Sequence, residues 1–203
     1  MNLSELPKDL PIPSDDGAAS HLVGLNLPSI QLNSTDGISV NLNNFTGWSV
    51  IYFYPMTGQP DVSLPEGWDN IPGARGCTPQ SCSFRDHFDE LAVLNVKMYG
   101  LSTQTSAYQL EAKTRLHLPF TLISDSQLQL KSALNFPTFK ISKLEFYKRL
   151  TIIINNNKIV KVFYPVFPPD KNAKDVIAWL DVHPELAALN RDCKQRSAPH
   201  IKV

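Results

Sequence analysis

Hydrophobic residues recur along this chain in short runs whose period switches between two and three to four. Ile30 and Leu32, then Ile38, Val40 and Leu42, alternate with polar residues on either side of Asp36-Gly37, which predicts a hairpin turning at that dipeptide. Residues 48–54, Trp-Ser-Val-Ile-Tyr-Phe-Tyr, form a nearly continuous β-branched and aromatic run, as in a strand buried on both faces, and Pro55 ends it. Further strands are expected at 96–102, at 120–123 and at 151–154. The last pairs across Asn155-Asn156-Asn157 with 159–164 as a second hairpin. Helical spacing appears at 78–94, where Phe84, Phe88, Leu91 and Leu94 share a stripe, and at 105–116 with Tyr108, Ala112 and Leu116. Ser124 or Asp125 is placed to cap a helix ending near Leu134, and Pro169-Asp170 opens a last helix over 171–182 with Val176, Trp179 and Leu180 facing inward.

Strand, helix, strand, helix, strand, then a hairpin and a closing helix, describes an α/β chain whose sheet mixes parallel crossovers with antiparallel pairs. That order is the thioredoxin-like three-layer sandwich with a mixed central β-sheet, here carrying an N-terminal β-hairpin extension. The Pro- and Gly-punctuated residues 1–27 read as an irregular N-terminal arm, 28–185 as the domain, and the polar 186–203 as a loose tail. Residues 56–75 hold three prolines and three glycines in a connection too long to be only a linker inside a compact domain.

Composition narrows the chemistry. Nineteen basic residues balance nineteen acidic ones, which removes a whole-chain case for nucleic acid or an anionic membrane surface as partner. No apolar run approaches the ~18 residues of a membrane span, and the first residues lack a basic and apolar leader pattern, so the expectation is a soluble, cytoplasmic protein. Three cysteines in such a chain are expected as thiols, and a close pair points to redox or metal chemistry. His87 with Asp86, Asp89 and Glu90 reads as a solvated charged face rather than a metal cluster, because no second histidine sits at ligand spacing; no metal or cofactor is expected. Cys193, among Arg191, Asp192 and Lys194, reads as a spare exposed thiol.

The pair in question is Cys77 and Cys82, in Gly76-Cys77-Thr78-Pro79-Gln80-Ser81-Cys82. Thr78 as N-cap and Pro79 as first helical residue would put Cys77 at a helix N-terminus, where partial positive charge and free N–H groups favour the thiolate. Residues five apart in a continuous helix have Cα atoms roughly 8.7 Å apart. A disulfide needs about 4.4–6.8 Å, so the two cysteines can pair only if those turns unwind.

These residues resemble a peroxiredoxin, and most closely the peroxiredoxin Q type, also called bacterioferritin comigratory protein. The likeness rests on Tyr52-Phe53-Tyr54-Pro55, Gly76-Cys77-Thr78, Cys82, Phe84-Arg85-Asp86, Tyr99-Gly100-Leu101-Ser102, the run 118–125 and Arg149-Leu150-Thr151-Ile152-Ile153-Ile154, in that order. The resemblance implies a thiol peroxidase acting on hydrogen peroxide or small organic hydroperoxides. Cys77 would be the peroxidatic cysteine and Cys82 the resolving one, through an intramolecular disulfide that a thioredoxin-type reductant reopens. Arg149 matches the arginine that pairs with the thiolate and peroxide, and a monomer or weak homodimer is implied. Two positions depart from the pattern: Asn70 and Ala74 stand where the family has Pro and Thr, and 56–75 contains an apparent insertion of roughly 15 residues. Thr57, two residues after Pro55, is a candidate to supply the missing hydroxyl, and Gln80 replaces an acidic residue.

Lowering a thiol pKa from about 8.5 to about 6 raises the thiolate fraction near neutrality only about tenfold, while nucleophilicity falls. Most of the catalysis must therefore come from donors aimed at the departing oxygen, for which Arg149, the Cys77 N–H and a hydroxyl are the candidates. The missing threonine motivates a rival reading, a redox sensor or interaction protein on the same fold that oxidises once and does not turn over. A thioredoxin-like disulfide exchanger is weaker, because no Cys-x-x-Cys is present.

Overall fold

The computed structural model describes residues 10–183. The expected tail and Cys193 lie outside the described residues. Among the described residues, nine strands and five α-helices follow in the order β1 (Gln31–Ser34), β2 (Ser39–Asn41), β3 (Trp48–Phe53), α1 (Cys77–Asp86), α2 (Phe88–Val93), β4 (Val96–Ser102), α3 (Ser106–Arg115), β5 (Thr121–Ser124), α4 (Gln129–Leu134), β6 (Thr138–Ile141), β7 (Leu144–Tyr147), β8 (Leu150–Asn155), β9 (Lys158–Phe163) and α5 (Asn172–Asp181). Seven strands form one sheet in the order β2-β1-β5-β4-β3-β8-β9; β6 and β7 pair separately. β3, β4 and β5 are parallel neighbours, while β8 runs antiparallel to β3 and β1 antiparallel to β5.

The period-two alternation of each central strand divides the core. Ile51 and Phe53, with Leu101, Ile123, Ile152 and Ile154, face a layer closed by Leu22, Leu42, Leu130 and Phe136. Val50 and Tyr52, with Met98, Leu122 and Ile153, face the opposite layer, where Phe84 of α1, Leu91 of α2 and Val176 and Leu180 of α5 pack. Tyr52 fits because residue 100 is glycine: a Cβ there would sit 2.6–2.7 Å from Leu122 and the Tyr52 ring.

Several expectations need correction. The 78–94 helix is two helices, because the backbone at His87 leaves helical geometry (φ −110°, ψ 14°) between α1 and α2. Thr78 is not the N-cap: Gly76, at φ 98°, caps α1, so Cys77 is its first residue and Pro79 its third. The hairpin β6–β7 was not expected; Ser142, at φ 54°, turns it without Gly, Asn or Asp as a signal. The arm is irregular at its start, but from Ala19 it joins the core, with Ala19, Leu22 and Leu27 buried. Gly24 donates to the Ile159 carbonyl and Ile159 to that of Leu25, tying the arm to β9. Trp179 is half-buried and stacks on His183 at 3.8 Å.

The long 56–75 connection is ordered by one aromatic anchor. Trp68, buried in a short 3-10 turn at Trp68–Asn70, meets Phe146 edge-on at 5.1 Å and Phe139 at 5.8 Å. The inserted loop and the β6–β7 hairpin thus bury each other's apolar side beside the main sheet.

Candidate active site

Two chain segments far apart in sequence meet at the C-terminal end of the parallel strands. β3 runs to that end and its following loop delivers α1. β8 is antiparallel to β3, with Leu150 opposite Phe53, so Arg149 enters the sheet at the same edge. The left-handed Gly76 turns the chain sharply into α1 and places Cys77 at its head. Cys77 is 4% exposed and Arg149 3%.

The Arg149 guanidinium gathers most of the site. Nη2 lies 3.2 Å from Cys77 Sγ and also donates to the carbonyls of Gly73 (3.2 Å), Ala74 (3.3 Å) and Arg75 (2.9 Å). Nη1 donates to Gln80 Oε1. Nε has no partner among the described residues, and none of the ion pairs found there joins Arg149 to a carboxylate. A buried cation without a counter-charge costs several kcal/mol, on the order estimated for a desolvated ion. Of the groups touching this one, only the Cys77 sulfur can become an anion. Sγ itself lies 3.6 Å from the Ala74 carbonyl.

Gln80 is held from behind. Its Nε2 donates to Asn172 Oδ1 at 2.9 Å, and that same oxygen accepts the Thr151 hydroxyl at 2.6 Å. Gln80, Asn172 and Thr151 are all buried, from α1, α5 and β8 respectively. The sequence singled out Gln80 only as a departure from a motif, and nothing in it pointed to Asn172.

Beneath α1, Tyr52 Oη and Ser81 Oγ share a 2.9 Å hydrogen bond, and Phe84 stacks on the Tyr52 ring at 4.8 Å. Burial pushes the Tyr52 and Tyr54 phenols up, so both remain neutral, and negative charge on Cys77 adds to each shift. A hydrogen bond with Ser102 partly offsets the effect of burial on Tyr54. Thr57 is buried nearby in sequence, but its one hydroxyl hydrogen goes to Gln104 Oε1 at 3.2 Å. Its N–H donates to the same oxygen at 3.0 Å, and its carbonyl accepts from Tyr108 Oη at 3.2 Å. Arg75 pairs with Asp69 at 3.2 Å.

Cys82 is a half-buried free thiol one turn and a half along α1. Burial pushes its thiol up, partly offset by Arg85. Both cysteines lie within the intact α1, so a bond between them requires that helix to unwind. Beside Arg149, a cavity of about 280 Å³ is walled by Ile12, Pro13, Ile71, Phe139 and Val166, with Lys148 and Tyr164 at its polar side. Asp16 holds the arm there, paired with Lys148 at 2.5 Å and accepting from Tyr164 Oη at 2.7 Å. No group of acidic, cysteine or histidine side chains suited to a metal occurs among the described residues.

Sheet order, helix placement and a cysteine under a buried arginine at the mouth of the parallel strands define a thioredoxin-like protein with a thiol centre. Comparison narrows this: residues 22–177 match the Redoxin family, to which the chain belongs, and within it the relatives are of peroxiredoxin Q and bacterioferritin comigratory protein type. Peroxiredoxin Q, chloroplastic, of Oryza sativa subsp. japonica is 29% identical over 159 residues, 77% of this chain but 65% of the rice protein, so the chain spans just under two thirds of that relative. The putative peroxiredoxin bcp of Coxiella burnetii is 26% identical over 162 residues, 78% of this chain and 97% of the other. Among solved structures, peroxidoxin BcpB of Mycobacterium tuberculosis superposes with a TM-score of 0.64 at 23% identity, over 79% of this chain and 96% of the other, which establishes the likeness of fold.

Proposed function

We propose that the chain is a thiol-dependent peroxidase reducing hydrogen peroxide or small organic hydroperoxides, with Cys77 as the attacking sulfur. The observation that carries this is the buried Arg149 guanidinium 3.2 Å from Cys77 Sγ with no carboxylate among its contacts. The thiolate attacks the terminal peroxide oxygen; an S–O bond forms as the O–O bond breaks. The alkoxide or hydroxide leaves, takes a proton to become an alcohol or water, and Cys77 is left as a sulfenic acid. Negative charge moves from sulfur to the departing oxygen, so donors already fixed around the sulfur stabilise the transition state without reorganising. Arg149 supplies the charge, and the N–H groups at the head of α1 supply further donors. The Thr57 hydroxyl is not available to the sulfur in this arrangement, because its hydrogen is engaged by Gln104.

Cys82 then attacks the sulfenic sulfur, expels water and forms a disulfide with Cys77, which a thioredoxin-type dithiol reduces. The raised Cys82 thiol fits a group that acts only after α1 loosens and exposes it. Stopped-flow peroxide consumption with thioredoxin and its reductase tests the scheme. Cys77→Ser is expected to abolish it, and activity retained in that variant sinks the assignment. Cys82→Ser is expected to consume about one equivalent and stop; undiminished turnover removes its role. A wild type that oxidises once under these conditions is the redox sensor, the reading favoured by Ala74 and by the engaged Thr57 hydroxyl.

A further inference from the structure

We infer that Arg85 is a positioning residue for the resolving step: it holds the Cys82 turn of α1 against the end of α3 and offers Cys82 a cationic partner when that sulfur ionises. The inference rests on the peroxidase reading above and deepens it.

Cys82 and Arg85 are three residues apart on α1, so their side chains share one face. The Arg85 guanidinium is fixed from two directions. Nε donates to Asp86 Oδ1 at 2.8 Å, and Nη1 donates to the Leu116 carbonyl at 2.9 Å. Leu116 is the C-cap of α3, where backbone carbonyls lack helical partners, so Arg85 closes that helix end. Capping α3 would need no sulfur nearby, yet the guanidinium is also hydrogen-bonded to Cys82. These contacts fix a side chain that is one-third exposed and would otherwise sample many rotamers.

Arg85 and Arg115 favour the Cys82 thiolate, and Asp86 opposes it. Arg115, at the end of α3, is bonded by Glu111 at 2.6 Å and spends another donor on the Gly58 carbonyl. On α2, Asp89 and Glu90 are exposed, and His87 between the helices turns Nδ1 to the Ser83 carbonyl. Asp170, Lys171, Lys174 and Asp175, on the packed 169–171 turn and α5, are exposed and screened by solvent. Of these groups, Arg85 is the cation that touches the sulfur. Burial against the cluster of Tyr52, Phe84 and Leu118 works against a charged Cys82 while α1 is intact. Disulfide formation unwinds the turns between Cys77 and Cys82. The Arg85–Leu116 bond lies beyond Cys82, where Phe84 is also stacked on Tyr52, so unwinding relieves the burial and keeps the cation. The Cys82 thiolate attacks the Cys77 sulfenic sulfur, and the S–S bond forms as the S–O bond breaks. The departing hydroxide takes up the proton that Cys82 gave and leaves as water.

The test measures iodoacetamide alkylation of Cys82 against pH in the full chain carrying Cys77→Ser, with peptide mass spectrometry separating Cys82 from Cys193. Adding Arg85→Met is expected to move the profile up by roughly half a pH unit, the scale of one partly exposed ion pair. Adding Asp86→Asn instead frees Arg85 and removes the opposing charge, so the profile should move down by a similar amount. A role confined to capping α3 predicts a lower melting temperature for Arg85→Met and no movement of either profile. In the chain that keeps Cys77, Arg85→Met is expected to slow disulfide formation after one equivalent of hydrogen peroxide about twofold at pH 7, since the loss of thiolate is partly offset by higher nucleophilicity. A profile unmoved by either variant, or moved up by Asp86→Asn, overturns the inference. Asp86 is exposed, so its variant keeps the test decisive should Arg85→Met not fold. Alkylation needs no peroxide: a peroxide-treated wild type that forms no Cys77–Cys82 disulfide sinks the functional reading, while the profiles still decide whether Arg85 pairs with Cys82.

Discussion

Replacing Arg149 by Met removes one charge and five contacts while roughly keeping the buried aliphatic volume. Opposite unit charges 3.2 Å apart attract by about 5 kcal/mol at an effective dielectric of 20, an upper figure because the guanidinium is also desolvated. Only the part that grows as charge moves onto the departing oxygen speeds the reaction. Loss of one such donor typically costs about 10²–10³ in rate, or roughly 3–4 kcal/mol. We therefore expect the second-order rate with hydrogen peroxide to fall 10²- to 10³-fold. Arg149→Lys should fall about tenfold, since one ammonium cannot reach Gln80, the three carbonyls at 73–75 and the sulfur together. The assay is single-turnover stopped flow on pre-reduced protein, with thermal melts alongside. The carbonyls left without a donor cost about 1–3 kcal/mol each if dry, a loss of roughly 2–4 °C per kcal/mol for a chain near this size. Slow reaction in a protein that still melts cooperatively is the expected pattern. A rate within threefold of wild type in Arg149→Met refutes the claim that this guanidinium stabilises the transition state.

Trp68→Ala should undock the inserted loop, since truncating a buried tryptophan typically costs about 3–5 kcal/mol and this one anchors a peripheral cluster. Limited proteolysis should then cut within residues 56–75 well before the core unfolds; unchanged protection would count against the anchor. The hydrogen bonds and charge of Lys148, helped by Tyr164, hold the Asp16 carboxyl down to about 2. A depressed carboxylate stabilises the fold above its unfolded value near 3.8 and loses that contribution as pH falls through about 2. The melting temperature of wild type should thus drop more steeply from pH 4 to pH 2 than that of Asp16→Asn; parallel curves would show the pair contributes nothing.

Local pattern alone determined much of this protein. The both-faces apolar run at 48–54, the Asp36-Gly37 hairpin turn and the Asn156-Asn157 turn are properties of a few neighbouring residues, and each forms where its residues predict. The same holds for the cysteine at a helix head, although the cap shifted to Gly76 because a left-handed glycine turns the chain more sharply than Thr78 would. What neighbouring residues could not encode is which distant groups meet. Arg149 reaches Cys77 only because β8 is antiparallel to β3, and Asn172 reaches Gln80 only because α5 folds back on α1. The β6–β7 hairpin exists as a pair with the inserted loop, held by Trp68 against Phe146 rather than by its own turn residues. Thr57 illustrates the same point in reverse: its place after Pro55 suggested a hydroxyl for the sulfur, and a glutamine brought in after β4 took its hydrogen. Hydrogen-bond partners are allotted by packing across the whole chain, so the sequence puts Cys77 at the head of a helix, and the fold alone brings Arg149 to it.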